Sequence, residues 1–220
     1  MSGPTRTQWA YAELKARVMD NRLRAGQSYL EQSLAEELGV SRTPLREAAL
    51  RLEAEGFVTI RPRLGILVRP ISAEDMADVY DILTALEPFA ARMLAERALS
   101  AEELEQLIAP VEQMDACLAR GDLAAWAVAD RAFHAALIGL AGNPRLDRII
   151  ATLWDQVHRA RMATLSARRD LAASNLDHRR LVAHIANGEA DAAEALHRRH
   201  RRAAGKALVR LLGPHGEDGL

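Results

Sequence analysis

Four polar side chains in the second half of the chain have the types and the spacing of metal ligands. Asp130 and His134 are four residues apart, so a helix would present both on one face. His178 and His200 lie on either side of a turn predicted at residues 187–188. If that turn joins antiparallel helices, a rise of roughly 1.5 Å per residue brings both histidines to a similar depth. Three imidazoles and one carboxylate can then converge on a single divalent cation.

Such a donor set suits zinc, nickel or manganese and leaves coordination positions open for a ligand. A histidine on a helix also has a simpler explanation, as a surface residue or a hydrogen-bonded core residue. The histidines that we assign to this class are His158, His184, His197 and His215. Two alternatives stay open for the four candidate ligands. A metal has a purely structural role there, or no metal binds and the histidines hold an anionic ligand.

A second group of residues, near the N-terminus, has the pattern of a DNA-reading helix. Gly39 is expected to end a short helix in the left-handed conformation that glycine tolerates. Arg42 and Arg46 lie on one face near the start of the next helix, where a guanidinium can reach O6 and N7 of guanine. Ser41 and Thr43 can donate hydrogen bonds to phosphate oxygens beside the same helix end. The alternative is that each arginine is an ordinary solvated residue.

A β-hairpin is predicted directly after this helix. Its strands are the runs at residues 57–60 and 66–68, separated by a loop of about five residues. Arg61 and Arg63 supply positive charge for phosphates, and Gly65 at the loop tip lets the backbone approach DNA closely. The order of helices, turn and hairpin is that of a winged helix-turn-helix.

The elements that position these residues are predicted to form two domains in a mainly α protein. Residues 1–70 form the winged helix-turn-helix, and residues 71–220 form an all-α six-helix bundle. The six helices are expected at residues 73–98, 101–119, 122–141, 144–169, 170–187 and 189–212. Pro88 is expected to kink or break the first of them. Apolar stripes mark the inward faces of two of these helices: Met76, Val79, Leu83, Leu86, Ala90 and Leu94 in the first, and Leu146, Ile149, Leu153 and Val157 in the fourth.

Composition and charge are consistent with this division. Residues 1–70 carry 11 basic and 8 acidic residues, a net charge of +3, and the remainder carries a net charge of −4. A basic first third joined to an acidic remainder fits a nucleic-acid-binding module attached to a domain that does not bind DNA. The single cysteine, Cys117, excludes a disulfide framework and a cysteine-based zinc site. We expect a cytoplasmic protein with no membrane span.

The N-terminal motifs resemble those of GntR-family bacterial transcription regulators. The resemblance is carried by residues 12–15, 23–26, 34–48 and 52–58, and most specifically by Ser-Arg-Thr-Pro-Leu-Arg-Glu-Ala at 41–48. It implies that Arg42, Thr43, Arg46 and the wing residue Gly65 take the family's DNA-contact positions. Gln32 stands where some members have arginine, so the operator contact at that position is expected to differ.

The segment from about Ala73 to Leu211 is similar to the ligand-binding domain of the FadR branch of that family, the FCD domain. The segments that match its motifs are Leu86–Ala91, Asp130-x3-His134, Asn143-Pro144, Asp177-His178 and His200. The resemblance implies that Asp130, His134, His178 and His200 are metal ligands. Six predicted helices and a short linker resemble the VanR-type subgroup more than the seven-helix, acyl-CoA-binding type.

One departure from the family concerns the effector. In many relatives an arginine near the position of Leu83 helps to bind a carboxylate, and leucine cannot do so. The effector is therefore less acidic, or another cation replaces that arginine. The candidates for effector binding are Arg131 and Arg161.

Together these features predict a ligand-responsive DNA-binding transcription regulator, with repression favoured over activation. Its expected partners are double-stranded operator DNA of pseudo-palindromic sequence, a small carboxylate effector and a second copy of the chain. Its expected cofactor is a divalent metal ion, zinc before nickel or manganese. The alternative is a metal-dependent hydrolase built on the same histidines. That alternative lacks a glutamate beside the ligands to act as general base, and it gives the helix-turn-helix no role, so we expect no enzyme.

Overall fold

The computed structural model of the chain describes residues 3–169 and 171–213. By its internal contacts the chain divides into two units, Met1–Ile71 and Ser72–Leu220. The elements of the first unit are α1 (Arg6–Met19), β1 (Ser28–Tyr29), α2 (Glu31–Leu38), α3 (Arg42–Ala54), β2 (Val58–Arg61) and β3 (Gly65–Val68). The elements of the second are α4 (Ala73–Arg97), α5 (Ala101–Ala119), α6 (Leu123–Leu140), α7 (Pro144–Thr164), a short 3-10 helix (Leu165–Ala167), α8 (Leu171–Ala186) and α9 (Ala190–Leu212).

Local capping explains where α1 begins and where α2 ends. Thr5 and Gln8 form a reciprocal capping box that satisfies two backbone N–H groups at the start of α1. Gly39 ends α2 with φ of 63°, and its N–H donates to the carbonyls of Ala35 and Glu36. The left-handed cap predicted at Gly39 is therefore confirmed.

The three helices of the first unit pack on a small antiparallel sheet with strand order β1-β3-β2. Their shared core is apolar and almost fully buried, and its largest members are Leu14, Leu34, Leu45, Leu52 and Phe57. These side chains come from every helix of the unit, so α3 is fixed against the other two while its opposite face stays in solvent. This arrangement is the predicted winged helix-turn-helix, with a tighter hairpin loop than expected, at residues 62–64.

Gly65 lies at the start of β3 and not at the tip of the wing. It is buried, its φ is 86°, and a Cβ built on it would lie 2.2 Å from the carbonyl oxygen of Tyr29. The physical reason for glycine here is therefore the close approach of β1, which leaves no room for a side chain. The expectation that Gly65 is needed at the loop tip is corrected, because residues 62–64 form the tip.

The second unit is built from six α-helices within its described residues, which confirms the predicted all-helical architecture. The longest helices, α4 and α9, pack along each other, while α5 packs against α6 and α8. Close packing of α4 and α9 is possible because Gly205 has no side chain: a Cβ there would lie 2.8 Å from the ring of Tyr80. The ring of Tyr80 is therefore held over α9.

Two details of the helical pattern differ from expectation. Of the kink or break expected at Pro88, the break does not occur, because helix α4 continues through this residue with buried residues on both sides at Leu83 and Ala91. Packing on both sides of the proline offsets the one hydrogen bond that it cannot make. In α7 the buried stripe includes Ile150 and Trp154, whereas Ile149 is 54% exposed, so its predicted burial is wrong.

Helix α6 is long and apolar enough, by length and composition alone, to cross a membrane. Its contacts are with α5 and α7 of the bundle, and its buried face carries the polar residues Asp130 and His134. A core helix of a helical bundle has the same length and composition. These contacts favour that explanation for α6.

Candidate functional site

A cluster of buried polar side chains lies in the middle of the second unit. Five helices contribute to it, and such burial of ionisable groups is rare unless they are paired or bind a ligand. Its members are Tyr80 and Glu87 from α4, Asp130 and His134 from α6, Trp154 and Arg161 from α7, His178 from α8, and His197, His200 and Arg201 from α9.

Three of the sequence-predicted ligands come together in this cluster. One ring nitrogen from each of His134, His178 and His200 lies within 4.8 Å of the others. The ring centroids are 4.6 Å apart between His178 and His200 and 5.0 Å apart between His134 and His178. The antiparallel turn at residues 187–188 thus brings His178 and His200 to the same depth, as the spacing predicts.

Asp130 places one oxygen near two of these histidines. Its Oδ1 is 3.9 Å from Nε2 of His134 and 3.9 Å from Nε2 of His178. Bonds of about 2.0–2.2 Å to zinc require donor atoms about 3–4 Å apart. These separations are therefore compatible with a common cation.

The strongest sign that the four residues fit a metal is that their converging atoms have no hydrogen-bond partner. Asp130 Oδ1, both ring nitrogens of His178, and Nε2 of His134 and His200 are all buried and unpaired among the described residues. Leaving one such atom unsatisfied costs about 1–3 kcal/mol, more if it is charged. A shared cation would satisfy one atom on each of the four side chains at once.

The charge states of these groups also fit a cation. Burial holds the pKa of His134, His178 and His200 well below the ordinary value of 6.5, and the nearby charge of Arg201 lowers that of His134 and His200 further. The imidazoles are therefore neutral and keep a lone pair. Burial, the largest single effect, opposes ionisation of Asp130, but the charges of Arg161 and Arg201 and the nearby imidazoles together outweigh it and lower the pKa of this carboxyl.

Arg161 is buried inside the cluster, where its guanidinium donates to Asp130 Oδ2 and to the hydroxyl of Tyr80, the latter over 3.3 Å. Arg131, the other candidate for effector binding, lies elsewhere: its side chain is 42% exposed and pairs with Asp155 over 2.5 Å. The structure thus brings Arg161 to the candidate ligands and leaves Arg131 at the surface.

The cluster also contains residues that sequence reasoning missed. Glu87, His197 and Arg201 have fully buried side chains, and Arg201 lies with its guanidinium carbon 4.7 Å from the ring centroid of Trp154. The sequence did contain an indication for Glu87. It lies four residues after Leu83 on the buried face of α4, where helical periodicity predicts an apolar residue. His197 is a hydrogen-bonded core residue, as assigned, but its place beside the candidate ligands was not predicted.

Among the described residues, neither His158 nor His184 belongs to the group of converging histidines. His184 pairs with Glu189 near the end of α8, and His158 is partly buried on α7. His215 is outside the described residues.

The exposed face of α3 is the candidate nucleic-acid interface. Arg42, Thr43 and Arg46 are all exposed, and Ser41 caps the helix without a side-chain hydrogen bond to it. Arg46 is held by Glu31 of α2, with 3.1 Å between its Nη1 and the carboxylate Oε1. The exposed face of α3 therefore presents two guanidinium groups, those of Arg42 and Arg46, and the ion pair with Glu31 orients Arg46 in the absence of DNA.

Arg61 and Arg63 are exposed at the wing, on either side of Pro62. Arg63 has a φ of 66°, in the left-handed region that non-glycine residues rarely adopt. Both side chains are free to extend toward a phosphate backbone.

Comparison with known proteins assigns both parts of the chain. Residues 6–68 match the gntR family of bacterial regulatory proteins, and residues 78–203 match the FCD domain. The chain is 36% identical over 145 residues to an HTH-type transcriptional regulator from the TAR-I ttuE-ttuC' intergenic region of Agrobacterium vitis, covering 65% of this chain and 85% of that protein. It is 33% identical over 148 residues to the Nta operon transcriptional regulator of Aminobacter aminovorans, covering 66% and 69% of the two chains.

The solved structure of Escherichia coli McbR/YncC has the same fold, with a TM-score of 0.78 at 22% identity over 94% of this chain and 99% of that one. The relatives are transcription regulators and not enzymes, so the hydrolase alternative is set aside. With a gntR match in its first unit and an FCD match in its second, the chain belongs to the GntR family of bacterial transcription regulators.

Proposed function

We propose that this regulator binds a divalent metal ion through Asp130, His134, His178 and His200 and senses a small organic acid at that centre. The observation that carries the proposal is the convergence of three buried histidines, with Asp130 Oδ1 3.9 Å from two of them, through atoms that lack hydrogen-bond partners among the described residues. The donor set of three imidazoles and one carboxylate favours zinc, with nickel or manganese as alternatives. When bound, such an ion supplies a positive centre with open positions for an anionic oxygen ligand.

The charge of the buried cluster supports an acidic effector. Asp130 is paired with Arg161 and Glu87 with Arg201, so the four ionised side chains balance one another. A divalent ion held by neutral imidazoles would add two uncompensated positive charges to a buried site, which costs several kcal/mol per ion. A carboxylate ligand would offset one of these charges, and a dicarboxylate would offset both. Arg161 takes the role of the arginine that Leu83 replaces, and its burial favours it over Arg131.

DNA recognition is assigned to the first unit. Arg42 and Arg46 read base edges in the major groove, Ser41 and Thr43 contact phosphates, and the wing arginines add sequence-independent affinity. We infer a homodimer that presents two recognition helices to a pseudo-palindromic operator. We also propose that the protein is cytoplasmic and acts as a repressor. The Nta operon regulator and McbR are similar chains that bear regulator names.

A thermal-shift experiment on the full chain tests the metal and the effector together. The protein is stripped with a chelator, reloaded with zinc, and screened against small carboxylates and sugar acids, with neutral sugar alcohols of the same size as controls. Zinc is expected to raise the melting temperature, and a carboxylate to raise it further only in the zinc-loaded protein, because each binds the folded state alone.

Three other outcomes would contradict parts of the proposal. No response to zinc, nickel or manganese would remove the metal centre. A carboxylate that stabilises the stripped and loaded proteins equally would leave the metal only a structural role. Stabilisation by the sugar alcohols alone would remove the acidic effector.

A further inference from the structure

Glu87 accepts hydrogen bonds from three directions at the centre of the second unit. Its Oε1 accepts from the indole N–H of Trp154 over 2.9 Å, and its Oε2 lies 2.7 Å from Nε of Arg201 and 3.0 Å from Nε2 of His197. The side chain has no exposed surface. This carboxylate is therefore fixed in place by α7 and α9.

The same Oε2 is 3.2 Å from Nδ1 of His134, the ring nitrogen that faces away from the candidate metal ligands. Arg201 also reaches this nitrogen with its Nη2. The two neighbours favour opposite tautomers of the imidazole. Arginine can only donate, so a bond from Arg201 requires a bare Nδ1, whereas a bond to Glu87 requires a proton on Nδ1.

Only one of these tautomers can bind a metal through Nε2. A proton on Nε2 blocks coordination, and it has no acceptor, because the carboxylate oxygen of Asp130 is 3.9 Å away and Nε2 has no hydrogen-bond partner among the described residues. A proton on Nδ1 leaves the lone pair of Nε2, which lies 3.9 Å from Asp130 Oδ1, available for a metal. Metal-bound histidines usually donate their second N–H to a carboxylate in this way, which fixes the ring and its tautomer.

We propose that Glu87 is a positioning residue that accepts the Nδ1 proton of His134 and so selects its metal-binding tautomer. The inference rests on the proposed metal centre. Glu87, His134 and His197 are also close enough together to suggest a second cation site. Arg201 makes that reading unfavourable, because its guanidinium already lies against Glu87 and would repel a second cation.

The direct test is nitrogen-15 NMR of histidine-labelled, full-length, zinc-loaded protein. His134 is expected to carry its proton on Nδ1 and to bind zinc through Nε2. A proton on Nε2, or coordination through Nδ1, would overturn the proposal. This measurement uses the unmodified chain, so it does not depend on whether a variant folds.

The second test is the substitution Glu87→Gln, which keeps the shape of the side chain and removes its charge. Competition with a chromophoric chelator is expected to show zinc affinity lowered by about 10–100-fold, the usual cost of losing such a supporting group. The matched control is Glu96→Gln, on the same helix with a side chain 53% exposed, which should bind zinc like the unmodified protein. Circular dichroism of both metal-free variants checks that they fold alike.

The outcomes separate this inference from the proposed function. If the unmodified protein binds no zinc, the metal centre itself fails. If it binds zinc but the Glu87→Gln variant binds zinc equally well, the metal centre stands and the role of Glu87 is overturned.

Discussion

At the scale of single residues, the sequence predicted the candidate ligands but not their neighbours. Asp130 and His134 follow from helical spacing, and His178 and His200 follow from their distances to one turn. Glu87 and Arg201 could not be placed in the same way, because helical periodicity identifies the inward face of a helix but not which other helices it meets. Their contact depends on the packing of α4 against α9, a long-range fact of the fold.

Substitution of one ligand should remove metal binding without unfolding the bundle. We expect His178→Ala to weaken zinc binding by more than about 100-fold, beyond the range for loss of a mere supporting group. Elemental analysis and chelator competition measure this effect. His184→Ala, on the same helix but at its exposed end, is the matched control and should retain full metal content. Full metal content in the His178 variant would remove that residue from the site.

The buried histidines predict how the stability of the metal-free protein depends on pH. Burial lowers the pKa of His134, His178, His197 and His200 from 6.5, so they stay neutral in the folded state while their counterparts in the unfolded chain take up protons. Stability is therefore fully present above about pH 6.5 and is lost as the pH falls below it. Each histidine contributes up to about 1.4 kcal/mol per pH unit in that range.

Urea unfolding of the stripped protein at pH 7.5, 6.5 and 5.5 measures this dependence. A free energy of unfolding that stays constant over this range would show that the histidines are accessible to protons in the folded state.

Operator affinity should depend on Arg46 and not equally on every exposed arginine of the first unit. Arg46→Ala is expected to cost about 1–3 kcal/mol of operator binding, since it removes a contact to base edges. An operator selected from random duplexes, titrated by fluorescence anisotropy, gives the affinity. Arg22→Ala, an exposed arginine of the same unit that pairs with Asp20, is the control. Equal losses on operator and random DNA would make Arg46 a phosphate contact.

At the scale of elements, most boundaries could be predicted because they depend on local chemistry. Gly39 ends α2, and Asn143 with Pro144 begins α7, where the asparagine side chain accepts from two backbone N–H groups. The local pattern was least informative where tertiary packing overrides it. Pro88 lies inside a continuous helix, and Ile149 faces solvent while Trp154 faces the core.

Two glycines of the first unit allow the effect of close packing to be separated from the effect of backbone conformation. Gly65 and Gly26 both have positive φ, but only Gly65 faces a backbone atom within 4 Å. Gly26→Ala should cost about 1–2 kcal/mol, the penalty for an L residue in this region. Gly65→Ala should cost more, because the carbonyl of Tyr29 must also move. Hydrogen exchange of the β3 amides in the full chain measures both, and equal protection would contradict the role assigned to Gly65.

At the scale of the whole molecule, the division into a DNA-binding unit and a helical unit could be predicted from the change of periodicity near residue 71. Regulation requires that the free energy of effector binding in the helical unit be coupled to the free energy of operator binding in the DNA-binding unit. An effector that alters operator affinity must have its own affinity altered by the same factor, typically about 5–150-fold.

This reciprocity can be measured in both directions. Once the thermal-shift screen has named a carboxylate, operator affinity is measured with and without it, and its own affinity is measured with and without operator. We expect the two factors to agree, and to become one in the His178→Ala variant. If the carboxylate binds equally well with and without operator, the buried site does not control DNA binding.

The position of Trp154 gives the protein an optical signal of its own. Only three tryptophans are present, and Trp154 is the one whose ring stacks on His134, with 4.7 Å between ring centroids. Trp9 is in the first unit, and the indole N–H of Trp126 donates a hydrogen bond to Asn175. Indole emission responds to the charge and polarity of the groups that touch the ring. Fluorescence quenching or a spectral shift from one native side chain would therefore report occupancy of the buried centre in real time, without a dye or a label.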